Sequence, residues 1–199
     1  MSIPNFISLA RLLAVPFIVY LILQSRFGLA FWVFVLAGVS DALDGWIAKR
    51  MDQESSLGSY LDPIADKALL MSVYATLGFF GFVPAWLVIL VISRDLLIIG
   101  AVLLSWLMER EIAVHPLKIS KINTAAQIGL AVLILGEGGL QLGWGVYIRP
   151  LIWGVGLTTA LSAAVYLVIW MKRMARYDMD QRLEGSASPA QDRNRRAAE

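Results

Sequence analysis

Six long apolar segments, separated by short polar ones, are the feature that most constrains the fold of this chain. Segments of about 17–25 apolar residues are typical of helices that cross a membrane. Hydrophobic residues make up 58% of the 199 positions, and the mean hydropathy is +0.69. We therefore predict an all-α, polytopic membrane protein with six transmembrane helices. The predicted helices lie within residues 1–23, 29–48, 58–79, 85–107, 119–135 and 147–171.

The distribution of basic residues predicts how these helices are oriented. An even number of spans places both termini on one side, together with the loops 49–56 and 108–121. Most of the Lys and Arg residues outside the spans lie on that side, which the positive-inside rule makes cytoplasmic. We predict a transmembrane domain of residues 1–177. Residues 178–199 are polar and poor in large apolar side chains, so we predict a disordered cytoplasmic tail.

The composition excludes several kinds of site. The chain has no cysteine, which excludes disulfides, zinc–thiolate centres and thiol nucleophiles. His115 is the single histidine, so a Ser/His/Asp triad or a polyhistidine metal site is not expected. The formal net charge of +2 is too small to indicate a nucleic-acid partner.

Four carboxylates lie in or beside the apolar segments. Asp41 and Asp44 are three residues apart, and Asp62 and Asp66 are four apart, so each pair lies on one face of its helix. If the two helices pack side by side, all four carboxylates converge on one pocket. Their mutual repulsion then requires cations among them. Ligands that are all oxygen favour Mg²⁺ or Mn²⁺ over Zn²⁺.

Small residues accompany the carboxylates. Gly45 and Ala48 share roughly the face of the first pair, and Gly58 precedes Asp62 by four residues. They leave a hollow where a phosphorylated group can approach the backbone, so the pattern indicates phosphoryl-type transfer assisted by metal. An EF-hand loop fits poorly, because its twelfth position would be Asp52 rather than Glu. A cation transporter with intramembrane carboxylates, and a membrane scaffold stabilised by metal, remain alternatives.

Residues 41–66 resemble the signature of the CDP-alcohol phosphatidyltransferases, integral membrane enzymes of phospholipid synthesis. Seven of the eight signature positions match with unchanged spacing; they are Asp41, Asp44, Gly45, Ala48, Gly58, Asp62 and Asp66. The eighth position is Lys49, where the family usually has arginine. Lysine keeps the charge but lacks the bidentate fork, so the expected phosphate contact is weakened.

The resemblance implies roles for these residues. Asp41, Asp44 and Asp62 would bind two metal ions, Mg²⁺ or Mn²⁺, that hold the diphosphate of CDP-diacylglycerol. Asp66 would be the general base that deprotonates the acceptor hydroxyl, and the resemblance also implies that it touches the second ion. The remaining expected donor-binding residues are Gly45, Ala48, Lys49, Gly58, Asn5 and Arg11. For Arg11, snorkelling to one membrane surface is an alternative.

Two further stretches, 92–95 and 119–127, resemble the cardiolipin synthase branch of the family, in which the acceptor is phosphatidylglycerol. The alternative is phosphatidylglycerophosphate synthase, with glycerol 3-phosphate as acceptor. Arg94, Lys118 and Lys121 are the expected ligands of the acceptor phosphate. For Arg94 the alternative is a pair with Asp95 that braces the helices. The resemblance also implies a homodimer and, for a bacterial chain, a place in the inner membrane with the site facing the cytoplasm.

Overall fold

The computed structural model describes the backbone of residues 3–51, 58–107 and 118–196, and the side chains of residues 9–40, 64–100 and 119–171. Within these residues the regular secondary structure is entirely helical, which confirms the predicted all-α class. The helices of this part of the chain are α1 (Ile3–Leu23), α2 (Phe27–Met51), α3 (Gly58–Phe79), α4 (Ala85–Leu107), α5 (Lys118–Leu140) and α6 (Gly145–Arg196).

Helices α3 and α4 have the predicted bounds, whereas α6 is much longer than predicted. It continues past residue 171 to Arg196 and includes most of the segment 178–199 that the sequence predicts to be disordered. Good helix formers such as Met, Lys, Arg, Gln and Leu predominate from residue 172 to residue 184, where they favour extension of the helix. The helix boundary is therefore corrected, while the division into a transmembrane domain and a tail stays a prediction.

Helix α5 also continues past its predicted end at residue 135, because its glycines pack against α2 instead of ending the helix. A Cβ atom on Gly139 would lie 2.2 Å from the backbone nitrogen of Gly28. On Gly138 it would lie 3.1 Å from the ring of Phe27. Small residues allow this close approach of two helices, and the packing outweighs the weak helix propensity of glycine.

The helices are arranged as a ring. Among the described residues, neighbours around the ring follow the order α1, α2, α5, α6, α4 and α3, and α3 closes onto α1. Helix α3 also contacts α5 across the ring. Helix α1 therefore packs between α2 and α3, the two helices that carry the signature, and these two are not a packed pair within the described residues.

The interior and the outer surface of the bundle are both apolar. The interior contains Ile18, Ile22, Val73, Tyr74, Leu77, Leu87, Val91, Leu130, Leu135 and Val155. Large apolar side chains on the outside include Leu13, Phe79, Ile89, Trp153 and Leu157, each more than half exposed. In the searched residues, Ile119–Leu140 and Gly145–Met171 are long and apolar enough to cross a membrane, and Leu9–Leu23 and Phe27–Ser40 are shorter apolar helices. An apolar exterior of this extent indicates membrane association.

Candidate active site

A cavity of about 520 Å³ lies inside the ring, beside the part of α2 and α3 that carries the signature. Its lining comes from five of the helices, α1 to α5. The charged side chains that line it are Arg11, Asp66, Lys67 and Asp95. Most of the other lining residues are apolar: Phe34, Val35, Ala37, Gly38, Val39, Leu69, Leu70, Ile128 and Val132, with Thr124 adding a hydroxyl. A cavity with charged groups on an apolar wall fits an amphipathic molecule such as a phospholipid.

Arg11 and Asp66, predicted from the sequence as a donor ligand and the general base, are brought into direct contact. One terminal guanidinium nitrogen of Arg11 donates a hydrogen bond to Oδ1 of Asp66. The Arg11 side chain is 2% exposed, whereas that of Asp66 is 45% exposed. The guanidinium group is thus held inside the bundle and does not snorkel to the membrane surface in this structure. It contacts the Asp66 carboxylate, which lies at the edge of the cavity with nearly half of its side-chain surface exposed.

A second charged group lies on the cavity wall beside this pair. Oδ1 of Asp95 accepts a hydrogen bond from Nζ of Lys67 at 2.6 Å and another from Nη1 of Arg94 at 2.6 Å. The side chains of Asp95 and Arg94 are 2% and 1% exposed, and that of Lys67 is 24% exposed. One buried carboxylate therefore has two cationic partners, and Lys67 is the partner that faces the cavity.

Arg94 connects three helices. Its Nη2 donates to Ser120 Oγ on α5 at 2.5 Å and to Ser162 Oγ on α6 at 3.0 Å, and its Nε donates to Ser162 Oγ at 3.2 Å. Together with the bond to Asp95 on α4, each of its three side-chain nitrogens has a protein partner. This geometry corresponds to the bracing alternative. A contact between Arg94 and an acceptor stays a prediction.

The stretch 119–127 contributes a buried polar network to the contact between α5 and α6. Asn123 Oδ1 accepts hydrogen bonds from the hydroxyls of Thr158 and Thr159, both at 2.8 Å. Gln127 Nε2 donates to Thr159 Oγ1 at 3.3 Å, and its backbone carbonyl accepts from the Tyr74 hydroxyl at 3.0 Å. Part of this stretch therefore fixes how the helices pack. Lys121, predicted to bind the acceptor, is exposed on α5 and is not among the described residues that line the cavity.

The other predicted site residues are placed by their backbone alone, because their side chains lie outside the described residues. On α2 these are Asp41, Asp44, Gly45, Ala48 and Lys49; on α3 they are Gly58 and Asp62; Asn5 is on α1, and Lys118 is the first residue of α5. Val39, which lines the cavity, precedes Asp41 by two residues, and Asp62 precedes Asp66 by one helical turn. The signature therefore adjoins the cavity along both helices.

A metal centre would depend mainly on the signature carboxylates, most of which are placed by their backbone alone. Among the described side chains there is no group of three acidic or histidine residues that could hold a metal ion. The side chains of three of the four predicted carboxylates, Asp41, Asp44 and Asp62, lie outside the described residues. The four predicted carboxylates form two pairs, each about one turn apart, and their oxygen ligands suit Mg²⁺ or Mn²⁺.

Lys67 is the cavity residue that the sequence analysis missed. It follows Asp66 directly in the apolar helix α3, and a lysine inside an apolar helix is itself a signal of a functional or paired group. The partners of Arg94 on α5 and α6 were also missed, because Ser120 and Ser162 have no distinguishing pattern in the sequence.

The helical bundle, its apolar exterior and its charged cavity define a membrane-associated protein with a site for an amphipathic ligand. Comparison with known proteins narrows the class: the family model for CDP-alcohol phosphatidyltransferase matches residues 1–171. The chain belongs to this family.

Curated relatives point to one branch of the family. The chain is 36% identical over 181 residues to the CMP-forming cardiolipin synthase of Rattus norvegicus, and the match covers 83% of this chain and 60% of the rat protein. The identity to the Homo sapiens protein of the same name is also 36% over 181 residues, with 60% of that protein covered. The match to the CMP-forming cardiolipin synthase of Streptomyces coelicolor is 33% identical over 195 residues and covers 90% of this chain and 86% of that protein. The chain thus spans about 60% of the length of the mammalian relatives.

Proposed function

We propose that this protein transfers the phosphatidyl group of CDP-diacylglycerol to a hydroxyl of phosphatidylglycerol, giving cardiolipin and CMP. The observation that carries the proposal is the cavity, which combines the Asp66 carboxylate with apolar walls beside the signature. The names of the relatives support the same products, since they are CMP-forming cardiolipin synthases. The buried charged groups beside the cavity support an acceptor that carries a phosphate group.

Asp66 is the proposed general base. The acceptor hydroxyl oxygen attacks the phosphorus that carries the diacylglycerol, its proton passes to the Asp66 carboxylate, and the bond from that phosphorus to CMP breaks. An alcohol is a poor nucleophile until its proton is accepted. The exposed edge of Asp66 is available to the hydroxyl, while Arg11 holds the carboxylate in place from the buried side.

The proposed metal ligands are Asp41, Asp44, Asp62 and Asp66, with Mg²⁺ or Mn²⁺ as the ions. Bound divalent ions would neutralise the diphosphate and make CMP a good leaving group. Gly45, Ala48 and Gly58 are proposed to shape the nucleotide pocket, with Lys49 and Asn5 as further donor contacts. Lys118 and Lys121 remain proposed acceptor ligands at the start of α5.

The proposed membrane arrangement has six spans, both termini in the cytoplasm, and the site facing the cytoplasm. The apolar exterior and the basic residues near the signature support it. For a bacterial chain the membrane would be the inner membrane, where CDP-linked donors and Mg²⁺ meet the cytoplasmic face. Residues 1–177 are the proposed catalytic domain. A homodimer is also proposed, by analogy with the family.

The test is an assay of CMP release by the purified full chain in detergent, supplied with CDP-diacylglycerol, phosphatidylglycerol and Mg²⁺ or Mn²⁺. We expect release that stops when EDTA is added and returns with excess metal. Asp66→Asn should reduce the rate by about 10²–10⁴-fold, the range typical of a lost general base. Release with glycerol 3-phosphate but not with phosphatidylglycerol would assign the chain to phosphatidylglycerophosphate synthesis. Absence of CMP release with either acceptor would contradict the transferase proposal.

A further inference from the structure

Lys67 carries a positive charge into the cavity that its partner does not neutralise. Asp95 is shared between Lys67 and Arg94, with 2.6 Å to each, so the group of three side chains has two positive charges and one negative charge. Burial of an uncompensated charge is costly unless an ion of opposite sign is close. Of these two cations, Lys67 is the one that lines the cavity.

The partners of the two cations explain why the excess charge faces the cavity. Arg94 is held by Ser120 and Ser162 in addition to Asp95, and its side chain is 1% exposed. Among the described residues, Lys67 has one ion-pair partner, Asp95, and its side chain is 24% exposed. An ammonium group has three donors, so two remain for another acceptor when one binds Asp95.

Lys67 is also next to the proposed base. Asp66 and Lys67 are consecutive residues of α3, and both side chains line the same cavity. A glycerol unit that carries a phosphate at one end has a free hydroxyl at the other. If the phosphate binds at Lys67, this hydroxyl is brought to the side of the cavity where Asp66 lies.

We infer that Lys67 binds the phosphate of a glycerol-phosphate acceptor, with Asp95 as the residue that positions its ammonium group. This inference rests on the proposed transferase function and names the acceptor contact within it. A lysine acts as a compact point charge, which suits a phosphodiester with one negative charge as well as a phosphomonoester. The same chemistry is present in phosphatidylglycerol and in glycerol 3-phosphate. Arg94 has a different role: it binds Asp95, the residue that positions Lys67, and it braces the helices.

The first experiment measures the Michaelis constants of the full chain in detergent for the acceptor and for CDP-diacylglycerol separately. Lys67→Met removes the charge and keeps the length of the side chain, and Lys67→Arg keeps the charge. Arg149→Met is the matched control, because Arg149 is an exposed cation of α6 that does not line the cavity. Loss of one charge-assisted contact should raise the acceptor KM of Lys67→Met by about 10-fold or more. The KM for CDP-diacylglycerol should change less than about 2-fold, and Lys67→Arg should recover most of the acceptor affinity.

The second experiment measures binding without turnover. The midpoint of thermal unfolding is recorded with short-chain phosphatidylglycerol, with glycerol 3-phosphate, and with short-chain diacylglycerol as the uncharged control. We expect phosphatidylglycerol to raise the midpoint of the wild type and of Lys67→Arg, but not that of Lys67→Met. A shift with glycerol 3-phosphate instead, also lost in Lys67→Met, would support the phosphate site and overturn phosphatidylglycerol as the acceptor.

The two proposals fail in different ways. If the wild type releases no CMP with any acceptor, the transferase function fails whatever the variants do. If it releases CMP and Lys67→Met keeps the wild-type acceptor KM and the wild-type ligand-induced shift, the role of Lys67 is refuted. A folded Lys67→Met that loses kcat while both KM values stay unchanged would also refute it.

Discussion

Replacing Arg94 by methionine is expected to destabilise the helix bundle strongly. The side chain is 1% exposed and joins Asp95 on α4 to Ser120 on α5 and Ser162 on α6. Removing it leaves Asp95, which is 2% exposed, with Lys67 as its remaining cationic partner among the described residues. Because Lys67 still balances the charge of Asp95, the loss comes mainly from the hydrogen bonds of Arg94 to Asp95, Ser120 and Ser162, and a hydrogen bond to a charged group contributes about 1.5–3 kcal/mol.

The loss of unfolding free energy in Arg94→Met can be divided into the contributions of its single contacts. Ser162→Ala removes an acceptor of two bonds from the same guanidinium group, and a hydrogen bond to a charged group contributes about 1.5–3 kcal/mol. Ser162→Ala should therefore cost less than Arg94→Met. The double variant Arg94→Met with Asp95→Asn should cost less than the sum of the two single variants, with a coupling of about 0.5–3 kcal/mol, because the two residues are in direct contact.

The assay is unfolding by increasing mole fractions of SDS in mixed micelles, followed by tryptophan fluorescence and far-UV circular dichroism. Arg149→Met serves as the control, since an exposed surface change of this kind alters the free energy of unfolding by about 0.5 kcal/mol or less. The reasoning is refuted if Arg94→Met unfolds like the wild type and instead raises the acceptor KM. Arg94 would then bind the substrate and would not brace the helices.

Two further substitutions test how α5 packs against its neighbours. Gly139→Ala should destabilise the bundle by about 1–3 kcal/mol, because the added Cβ would lie 2.2 Å from the backbone nitrogen of Gly28. Gly129→Ala on the same helix is the control: nothing lies within 4 Å of the new Cβ, so an unchanged or higher stability is expected, and equal losses in both variants would contradict the packing argument. Asn123→Ala should cost about 1–3 kcal/mol in the same unfolding assay, because the buried Thr159 hydroxyl loses its acceptor; an unchanged unfolding midpoint would show that the bond contributes nothing.

The sequence predicted most of the local structure and the chemistry of the signature. The bounds of α3 and α4 could be read from the lengths of their apolar segments and from the turn residues Gly81 to Pro84 between them. The spacing within 41–66 was sufficient to recognise the family, which the match over residues 1–171 shows. Arg11 and Asp66 were selected as site residues from the sequence, and the fold brings them into contact.

Other features depended on contacts between residues far apart in the chain. The glycines from residue 136 onward predicted the end of a helix. Gly138 and Gly139 nevertheless lie within α5, because α2 packs against them. The pattern of the sequence left Arg94 with two possible roles, and its serine partners lie 26 and 68 residues away. Hydrophobic periodicity and spacing are local properties, so they predict which segments become helices and which side chains share a face.

Which charges meet in the interior is decided by helix packing. Lys67 and Asp95 are 28 residues apart, and their contact exists because α3 and α4 are neighbours in the ring. The sequence by itself determined an all-helical membrane protein of the CDP-alcohol phosphatidyltransferase family and the carboxylates of its signature. Only the tertiary structure decided that Asp95 is shared by two cations and that one of them, Lys67, faces the cavity, because Lys67 reaches Asp95 from α3 and this contact requires α3 to pack against α4.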